Sequence, residues 1–207
     1  MKPMNVKSIS AETNSARVSD VQQRVQAAAV SLFAQQGYAN TSVQQVVERA
    51  GVTKGAMYHY FSSKDALLFA IYEQMLTLQS EHLSSIVNGS LPIAEKLRAA
   101  CVDVIETSID FLPEGTVFFR SMHMLPDAEQ REVKRRRRAY HDEFASLIEQ
   151  GQREGRYRDD VPIAVLVAHF FSDVHYLSQW YSTDGPESKA LIAEQLTELF
   201  LAGIAKR

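Results

Sequence analysis

The sequence predicts an all-α fold of about nine helices, and three observations support this prediction. Apolar residues recur three and four positions apart along most of the 207 residues, which is the spacing of one face of a helix. Glycines, prolines and capping residues divide this pattern into segments of helical length. No stretch alternates apolar and polar residues in the way that a half-buried strand does.

The first predicted helix covers residues 21–37, VQQRVQAAAVSLFAQQG. Its apolar stripe consists of Val25, Ala28, Ala29, Leu32 and Phe33. Gly37 can end the helix, because glycine readily adopts the left-handed conformation found after a helix. Residues 1–17 are polar and rich in serine and asparagine, so we expect a flexible arm there rather than a secretory signal.

Two short helices follow on either side of Gly51. In TSVQQVVERAG, residues 41–51, Thr41 with Gln44 forms a predicted capping box. Thr53 can cap a third, very short helix that runs through Tyr60. Two short helices separated by such a glycine are typical of a helix-turn-helix, so residues 18–66 are predicted to form a three-helix DNA-binding domain.

Residues 67–207 are predicted to form a second helical domain. A fourth helix begins after Ser62 and continues beyond residue 80, and Pro92 opens a fifth of about 20 residues. Breaks are expected at residues 113–115 and 125–126, followed by a polar helix that ends near Gly155. The last two helices are predicted over about 161–182 and from 184 onward, the final one with an apolar stripe of Ile192, Leu196, Leu199, Phe200 and Gly203.

Charge and composition limit the possible partners. Residues 1–65 carry seven basic and four acidic side chains, whereas the remainder carries 15 basic and 21 acidic ones. A basic head on an acidic body permits a polyanion partner for the head. The apolar run at 161–171 is too short to span a membrane, which takes about 20 residues, and a single cysteine fits a reducing cytoplasm.

The segment AGVTKGAMYHYFSSK, residues 50–64, has the composition of a DNA-reading helix. Thr53, Lys54 and the Gly55 amide lie where a helix N-terminus can meet phosphate, and Gly55 and Ala56 lack bulk, so the backbone can approach the groove. The rings of Tyr58, His59 and Tyr60 can contact phosphate or sugar, and Lys64 is placed to reach the next phosphate. We expect Met57 and Phe61 to be core residues instead.

Residues 21–76 resemble the N-terminal domain of TetR-family transcriptional regulators, through AVSLFAQQGY, TSV, AGVTKGAMYHYF and SKDAL. The resemblance implies a homodimeric repressor whose last two long helices form the dimer, whose body holds a small hydrophobic effector, and which binds a palindromic operator. By position it implies DNA contacts from Thr53, Lys54, Gly55, Tyr58, His59 and Tyr60, with Thr41 or Ser42 and Lys64 beside them.

The effector site is predicted less specifically. Residues 168–186, with Trp180-Tyr181 ahead of Gly185, resemble the penultimate helix of a TetR subgroup that responds to acyl-CoA or steroid-CoA esters. Apolar residues from FFRSMHML could line a flexible pocket, or be ordinary core. The tentative effector residues are Phe118, Phe119, Met122, Arg137, Arg138, Phe170, Asp173, Val174, Leu177 and Trp180.

The run KRRRR, residues 134–138, has three competing interpretations: a solvated face paired with acids such as Glu132 and Asp142, a site for CoA phosphates, or a second DNA contact. No histidine pair has metal-ligand spacing and no catalytic motif is present, so we expect neither a metal site nor an enzyme. The alternative function is a regulator of efflux that senses aromatic or cationic toxicants. Burial of Asp173 would favour that alternative.

Overall fold

The computed structural model describes the backbone of residues 6–206 and the side chains of residues 20–206. Within that part of the chain the prediction of an all-α fold with about nine helices is confirmed, because nine α-helices and one short 3₁₀ helix at Met122–Met124 account for the regular structure. The α-helices are α1 Val6–Gln36, α2 Val43–Ala50, α3 Lys54–Tyr60, α4 Lys64–Asn88, α5 Ile93–Asp110, α6 Leu112–Ser121, α7 Asp127–Arg153, α8 Ile163–Trp180 and α9 Lys189–Ile204.

The chain divides into two compact units. The first holds the chain up to Ile71 together with Val117–Leu125, and the second holds Tyr72–Thr116 and the chain from Pro126 onward. The domain boundary expected after residue 66 falls inside α4. Helix α1 begins at Val6, within the segment 1–17 that is expected to form a flexible arm, and no glycine or proline interrupts residues 6–36. Residues 1–5 lie outside the described part.

In the first unit, α1 packs against α2 and α3, and α2 packs against α3. The predicted α1 stripe is buried throughout, from Val25 to Phe33. The Phe33 ring also meets the edge of the Tyr38 ring, with centroids 5.0 Å apart. This small core therefore rests on the apolar faces that the helical spacing indicated.

In the second unit, α5 packs against α7, α8 and α9, and α7 packs against α8. Aromatic rings fill its centre: Phe144 stacks on Phe170 at 4.8 Å, and Phe170 lies 4.8 Å from Phe200. Antiparallel bonding between Tyr157 and Ala205 ties the end of α9 to the loop after α7. These contacts give α7 and α8 a fixed register along each other.

Two predicted breaks need adjustment. The chain breaks at Phe111 rather than at 113–115, because Pro113 fits the first turn of α6, where a proline loses no hydrogen bond. The last helix begins at Lys189 rather than near 184, because the Ser188 hydroxyl caps it by accepting from the Leu191 amide at 3.2 Å.

Candidate nucleic-acid interface and ligand groove

The turn between α2 and α3 sets how α3 is presented. Gly51 has a φ of 64°, which is the left-handed region that favours glycine, and its amide bonds back to α2. The Thr53 hydroxyl then accepts a hydrogen bond from the Ala56 amide at 3.1 Å. Helix α3 consequently begins at Lys54 with its first turn facing away from the core.

Helix α3 has a buried face and an open face. Met57 is fully buried and Phe61, directly after the helix, is 4% exposed, so the expectation that both are core residues is confirmed. Tyr60 is half-buried, and its ring meets the His59 ring at a centroid distance of 4.8 Å. The open face consists of Thr53, Lys54, Gly55, Tyr58 and His59.

Arg24 of α1 holds the end of α2 in place, and sequence reasoning missed it. Its Nε and Nη2 donate to the Ala50 carbonyl at 3.0 and 2.5 Å, and Nη2 also donates to the Gly51 carbonyl at 2.8 Å. These carbonyls end α2 and would otherwise lack partners, so the guanidinium acts as a cap supplied by another helix. The spacing of basic residues along α1 carries no signal for such a contact.

The capping box of α2 is one residue later than predicted. Ser42 is the N-cap: its hydroxyl accepts from the Gln45 amide, and the Ser42 amide donates to the Gln45 side chain. Thr41 is only 2% exposed, and its hydroxyl donates to the Gly37 carbonyl at 2.9 Å. Thr41 is therefore corrected from a candidate DNA contact to a structural residue, whereas the exposed Ser42 keeps its candidacy.

Lys64 also has an internal role. Its ammonium group donates to the carbonyls of Tyr38 and Thr41 at 2.8 and 2.9 Å and lies 4.3 Å from the centre of the Tyr38 ring. The Tyr38 hydroxyl in turn donates to the Asp65 carboxylate. Burial lowers the pKa of Lys64, which is consistent with an ammonium partly withdrawn from water. Only one of its three N–H donors remains for a phosphate, so its main role is to fasten the start of α4.

The tentative effector residues near residue 120 belong to the first unit. Phe118 is fully buried, and its ring meets that of Phe119 at a centroid distance of 6.0 Å. Phe119 and Met122 are half-buried. The structure thus assigns these three residues to the same unit as α3 and the other seven tentative residues to the second unit.

The tentative effector residues on α8 lie on two different faces. Phe170, Val174 and Leu177 point into the core and are at most 5% exposed. Asp173 and Trp180 lie beside that face and are exposed: the Asp173 side chain is 59% exposed, with His169 3.9 Å away, and Trp180 is 51% exposed. These two residues are therefore corrected: the helical repeat that buries Phe170 and Leu177 turns them outward.

A groove of about 620 Å³ runs between α7 and α8 on the second unit. The His141 and Phe171 rings stack in it, 4.0 Å apart and 21° from parallel. Burial and the nearby Arg137 lower the pKa of His141 to about 4 and that of His175 to about 3. The charged and aromatic residues that line the groove are Lys134, Arg137, Arg138, His141, Phe171 and His175.

The basic run is divided between two surroundings. Arg135 pairs with Glu132 at 2.6 Å, and Arg136 pairs with Glu73 of α4 at 2.6 Å, as expected of a solvated face. Lys134, Arg137 and Arg138 line the groove instead. Among the described side chains, Arg138 forms no ion pair within 4.0 Å, not even with Asp142 four residues on. The interpretation as a paired, solvated face therefore holds for only part of the run.

Residues 20–206 contain no cluster of metal-ligating side chains, since no group of three or more histidine, cysteine, aspartate or glutamate side chains in that range could hold a metal ion. No helix in the described part is long and apolar enough to cross a membrane. The single cysteine, Cys101, is buried in α5.

Comparison with known proteins gives two family matches and several relatives. Residues 26–71 match "Bacterial regulatory proteins, tetR family", and residues 90–204 match "Tetracyclin repressor-like, C-terminal domain". The transcriptional repressor KstR2 of Mycolicibacterium smegmatis is 24% identical over 180 residues, which is 86% of this chain and 87% of that protein.

Two solved structures share the fold. The ketosteroid transcriptional regulator KstR2 of Mycobacterium tuberculosis has a TM-score of 0.80 at 20% identity, covering 90% of this chain and 95% of that one. AibR, solved in complex with isovaleryl coenzyme A and operator DNA, has a TM-score of 0.73 at 22% identity, covering 89% of this chain and 98% of that one.

Proposed function

This chain belongs to the TetR family of bacterial transcriptional regulators, whose members are not enzymes, and we propose that it is a homodimeric repressor released from a palindromic operator by a small hydrophobic effector. The observation that carries the proposal is the open face of α3. A buried Met57 anchors the helix, while Lys54, Tyr58 and His59 remain exposed beside a capped N-terminus. That is the arrangement a helix needs to enter the major groove.

The DNA contacts divide by chemistry. The Gly55 amide and the Lys54 ammonium lie at the positive end of α3, which favours phosphate. Tyr58 and His59 are placed farther along the open face, where they can reach sugar or base edges. Two heads would read half-sites about 34–36 Å apart, or a multiple of that distance. The proposed contact residues are Ser42, Thr53, Lys54, Gly55, Ala56, Tyr58, His59 and Tyr60.

We propose α8 and α9 as the dimer interface. Their outer faces expose large apolar side chains, which would lose contact with water in a dimer. On α8 these are Val165, Tyr176 and Trp180, and on α9 they are Leu191 and Leu199, the last 71% exposed. Leu199→Glu should convert the dimer to a monomer in analytical ultracentrifugation, whereas Ser85→Glu, at an exposed position of α4, should not. An unchanged dimer in Leu199→Glu would place the interface elsewhere.

The effector is proposed to be an acyl-CoA or steroid-CoA ester. A basic groove on the second unit and the AibR complex with isovaleryl coenzyme A support this choice. The alternative, a cationic toxicant, requires an acid buried in the ligand site, and Asp173 is exposed. The acid named for that alternative is therefore not buried in the described chain, and Lys134, Arg137 and Arg138 of the groove suit an anionic effector better than a cationic one.

The test is binding of the purified protein to DNA upstream of its own gene at near-physiological salt, with unrelated competitor DNA present. Specific binding that an acyl-CoA or steroid-CoA abolishes would support both parts of the proposal. Specific DNA binding that only cationic dyes abolish would contradict the CoA-ester effector and still support the repressor function. Binding that competitor DNA removes entirely would contradict the operator-binding function at this site, because charge alone produces such binding.

A further inference from the structure

The groove between α7 and α8 combines positive charge with flat rings. On α7, Lys134, Arg138 and His141 fall at i, i+4 and i+7, so they form one row along the groove wall. At 1.5 Å per residue this row extends about 10 Å along the helix axis. One end of the groove is thus cationic and the next turn is aromatic.

The cationic end is open to a ligand. Lys134 and Arg138 are exposed, and within the described part of the chain neither forms an ion pair. Their neighbours Arg135 and Arg136, by contrast, are occupied by Glu132 and Glu73. A guanidinium in this position can bind two oxygens of a phosphate at once, which a point charge cannot.

The aromatic end is suited to a ring rather than to a second anion. His141 and Phe171 already stack face to face, and His141 is neutral at pH 7 because burial and Arg137 disfavour its charged form. Across the groove, Ala164 and Ala168 of α8 leave the floor open. Asp142, which also lines the groove, can accept hydrogen bonds from hydroxyl groups.

We propose that this groove binds a nucleotide, with its phosphates on Lys134, Arg137 and Arg138 and its base against the His141–Phe171 stack. The proposal deepens the proposed function, because the nucleotide can be the end of a CoA ester. A free nucleotide offers the same phosphates and base. The groove chemistry is common to both sources, so the experiment has to separate them.

Isothermal titration calorimetry of the full-length protein with ADP, free coenzyme A, adenosine and inorganic phosphate separates the contributions of the phosphates and of the base to binding. We expect coenzyme A to bind, and adenosine and phosphate each to bind at least tenfold more weakly, since each offers only one half of the contact. ADP that binds as tightly as coenzyme A would identify the free nucleotide as sufficient. Binding of coenzyme A without binding of ADP would identify a CoA compound as the source, since only coenzyme A carries the 3′-phosphate and the pantetheine arm, and would exclude a free nucleoside diphosphate. If neither binds, the proposal is overturned.

Variants test the location. Arg138→Ala should weaken coenzyme A at least tenfold, Arg138→Lys should recover only part of that loss, and His141→Ala should weaken coenzyme A without changing phosphate binding. Arg135→Ala is the matched control, since it removes an arginine of the same helix that is paired with Glu132 outside the groove. Undiminished binding in both Arg138→Ala and His141→Ala, with unchanged thermal unfolding, would refute the site.

The repressor function is measured separately on the same proteins. Arg138→Ala without ligand should bind operator DNA as wild type does, because Arg138 lies on α7 in the second unit, whereas the proposed DNA contacts lie on the first. Loss of specific DNA binding in the wild-type protein would contradict the repressor and leave the groove result intact. Loss of nucleotide binding with DNA binding retained would contradict the groove alone.

Discussion

Lys54 and Lys64 provide the sharpest test of the proposed DNA surface, because the two lysines have opposite surroundings. Lys54 is exposed in the first turn of α3, where no acidic side chain accompanies it. Lys64 spends two N–H donors on the carbonyls of Tyr38 and Thr41. Replacing each by alanine should therefore separate a residue kept for DNA from one kept for structure.

The expected magnitudes follow from these contacts. A cation at a helix N-terminus is unfavourable, so Lys54→Ala should leave stability unchanged or raise it by about 0.5 kcal/mol. Removing one phosphate contact from each head of a dimer should make the negative slope of log K against log salt shallower by about 2 and should lower the affinity about 30-fold at 0.15 M salt. Lys64→Ala removes two charge-assisted hydrogen bonds and should cost about 1–3 kcal/mol of folding stability.

Fluorescence anisotropy on a labelled operator at several salt concentrations, with thermal unfolding of the same samples, measures both quantities. Lys206→Ala is the control, since it removes an exposed lysine from the second unit. If Lys54→Ala kept the wild-type affinity and salt slope while folded and dimeric, the assignment of α3 as the DNA-reading helix would be refuted. If Lys64→Ala unfolded at the wild-type temperature, its structural role would be wrong.

Two further predictions concern the second unit. A side chain at Gly151 would overlap the Tyr157 ring, so Gly151→Ala should cost about 1–3 kcal/mol of folding stability and lower the unfolding temperature. When Tyr157 is already alanine, Gly151→Ala should have no further effect on stability. An unchanged unfolding temperature in the Gly151→Ala single variant would contradict this packing. His175 has its pKa lowered to about 3, so only the unfolded chain takes up its proton as the pH falls below about 6.5. The stability that His175 contributes should therefore drop by up to about 1.4 kcal/mol per pH unit between pH 6.5 and 4, beside the loss from His141, whose pKa is also lowered. Urea unfolding at pH 7.5, 6 and 5 should show a shallower loss in His175→Gln, and an equal loss would place the titration elsewhere.

Short-range spacing was enough to predict the helix-turn-helix. Gly51 ends α2 and Thr53 caps α3 as expected, and Met57 and Phe61 are buried. These features depend on a few neighbouring residues whose conformational preferences are strong. The support from Arg24 could not be predicted in the same way. Its exposed guanidinium binds the carbonyls of Ala50 and Gly51, which are 26 and 27 positions away in the sequence.

The two hydroxyls before α2 show where local rules are ambiguous. Thr41 precedes Gln44 by three residues and Ser42 precedes Gln45 by three, so either pair fits a capping box. The structure selects Ser42, since the Thr41 hydroxyl bonds to the Gly37 carbonyl inside the α1–α2 connection. The contact between Thr41 and Gly37 therefore determines which of the two possible capping boxes forms. It also leaves the Ser42 hydroxyl, rather than that of Thr41, accessible.

Helix α9 was ambiguous for a different reason. It is apolar on more than one side, and the predicted stripe of Ile192, Leu196, Leu199, Phe200 and Gly203 includes Leu199, which is among the most exposed apolar residues described. The buried face carries Ile192, Ala193, Thr197, Phe200 and Ile204, so Ile192 and Phe200 of the predicted stripe lie in the core and Leu199 does not. A helix with one apolar face in the core and another proposed to contact a partner carries two overlapping apolar stripes. The spacing alone does not show which of the two faces the core.

Helix α8 carries three surfaces at once, and their adjacency has a consequence for regulation. Phe170 faces the core, Phe171 and His175 face the groove, and Tyr176 is on the outer apolar face. Because the groove residues are next in sequence to core and outer residues, a ligand that displaced the Phe171 ring would also act on the proposed dimer face. Such a ligand affects DNA binding only to the extent that it binds the DNA-competent and released states with different affinity, and operator DNA must then weaken the ligand by the same factor.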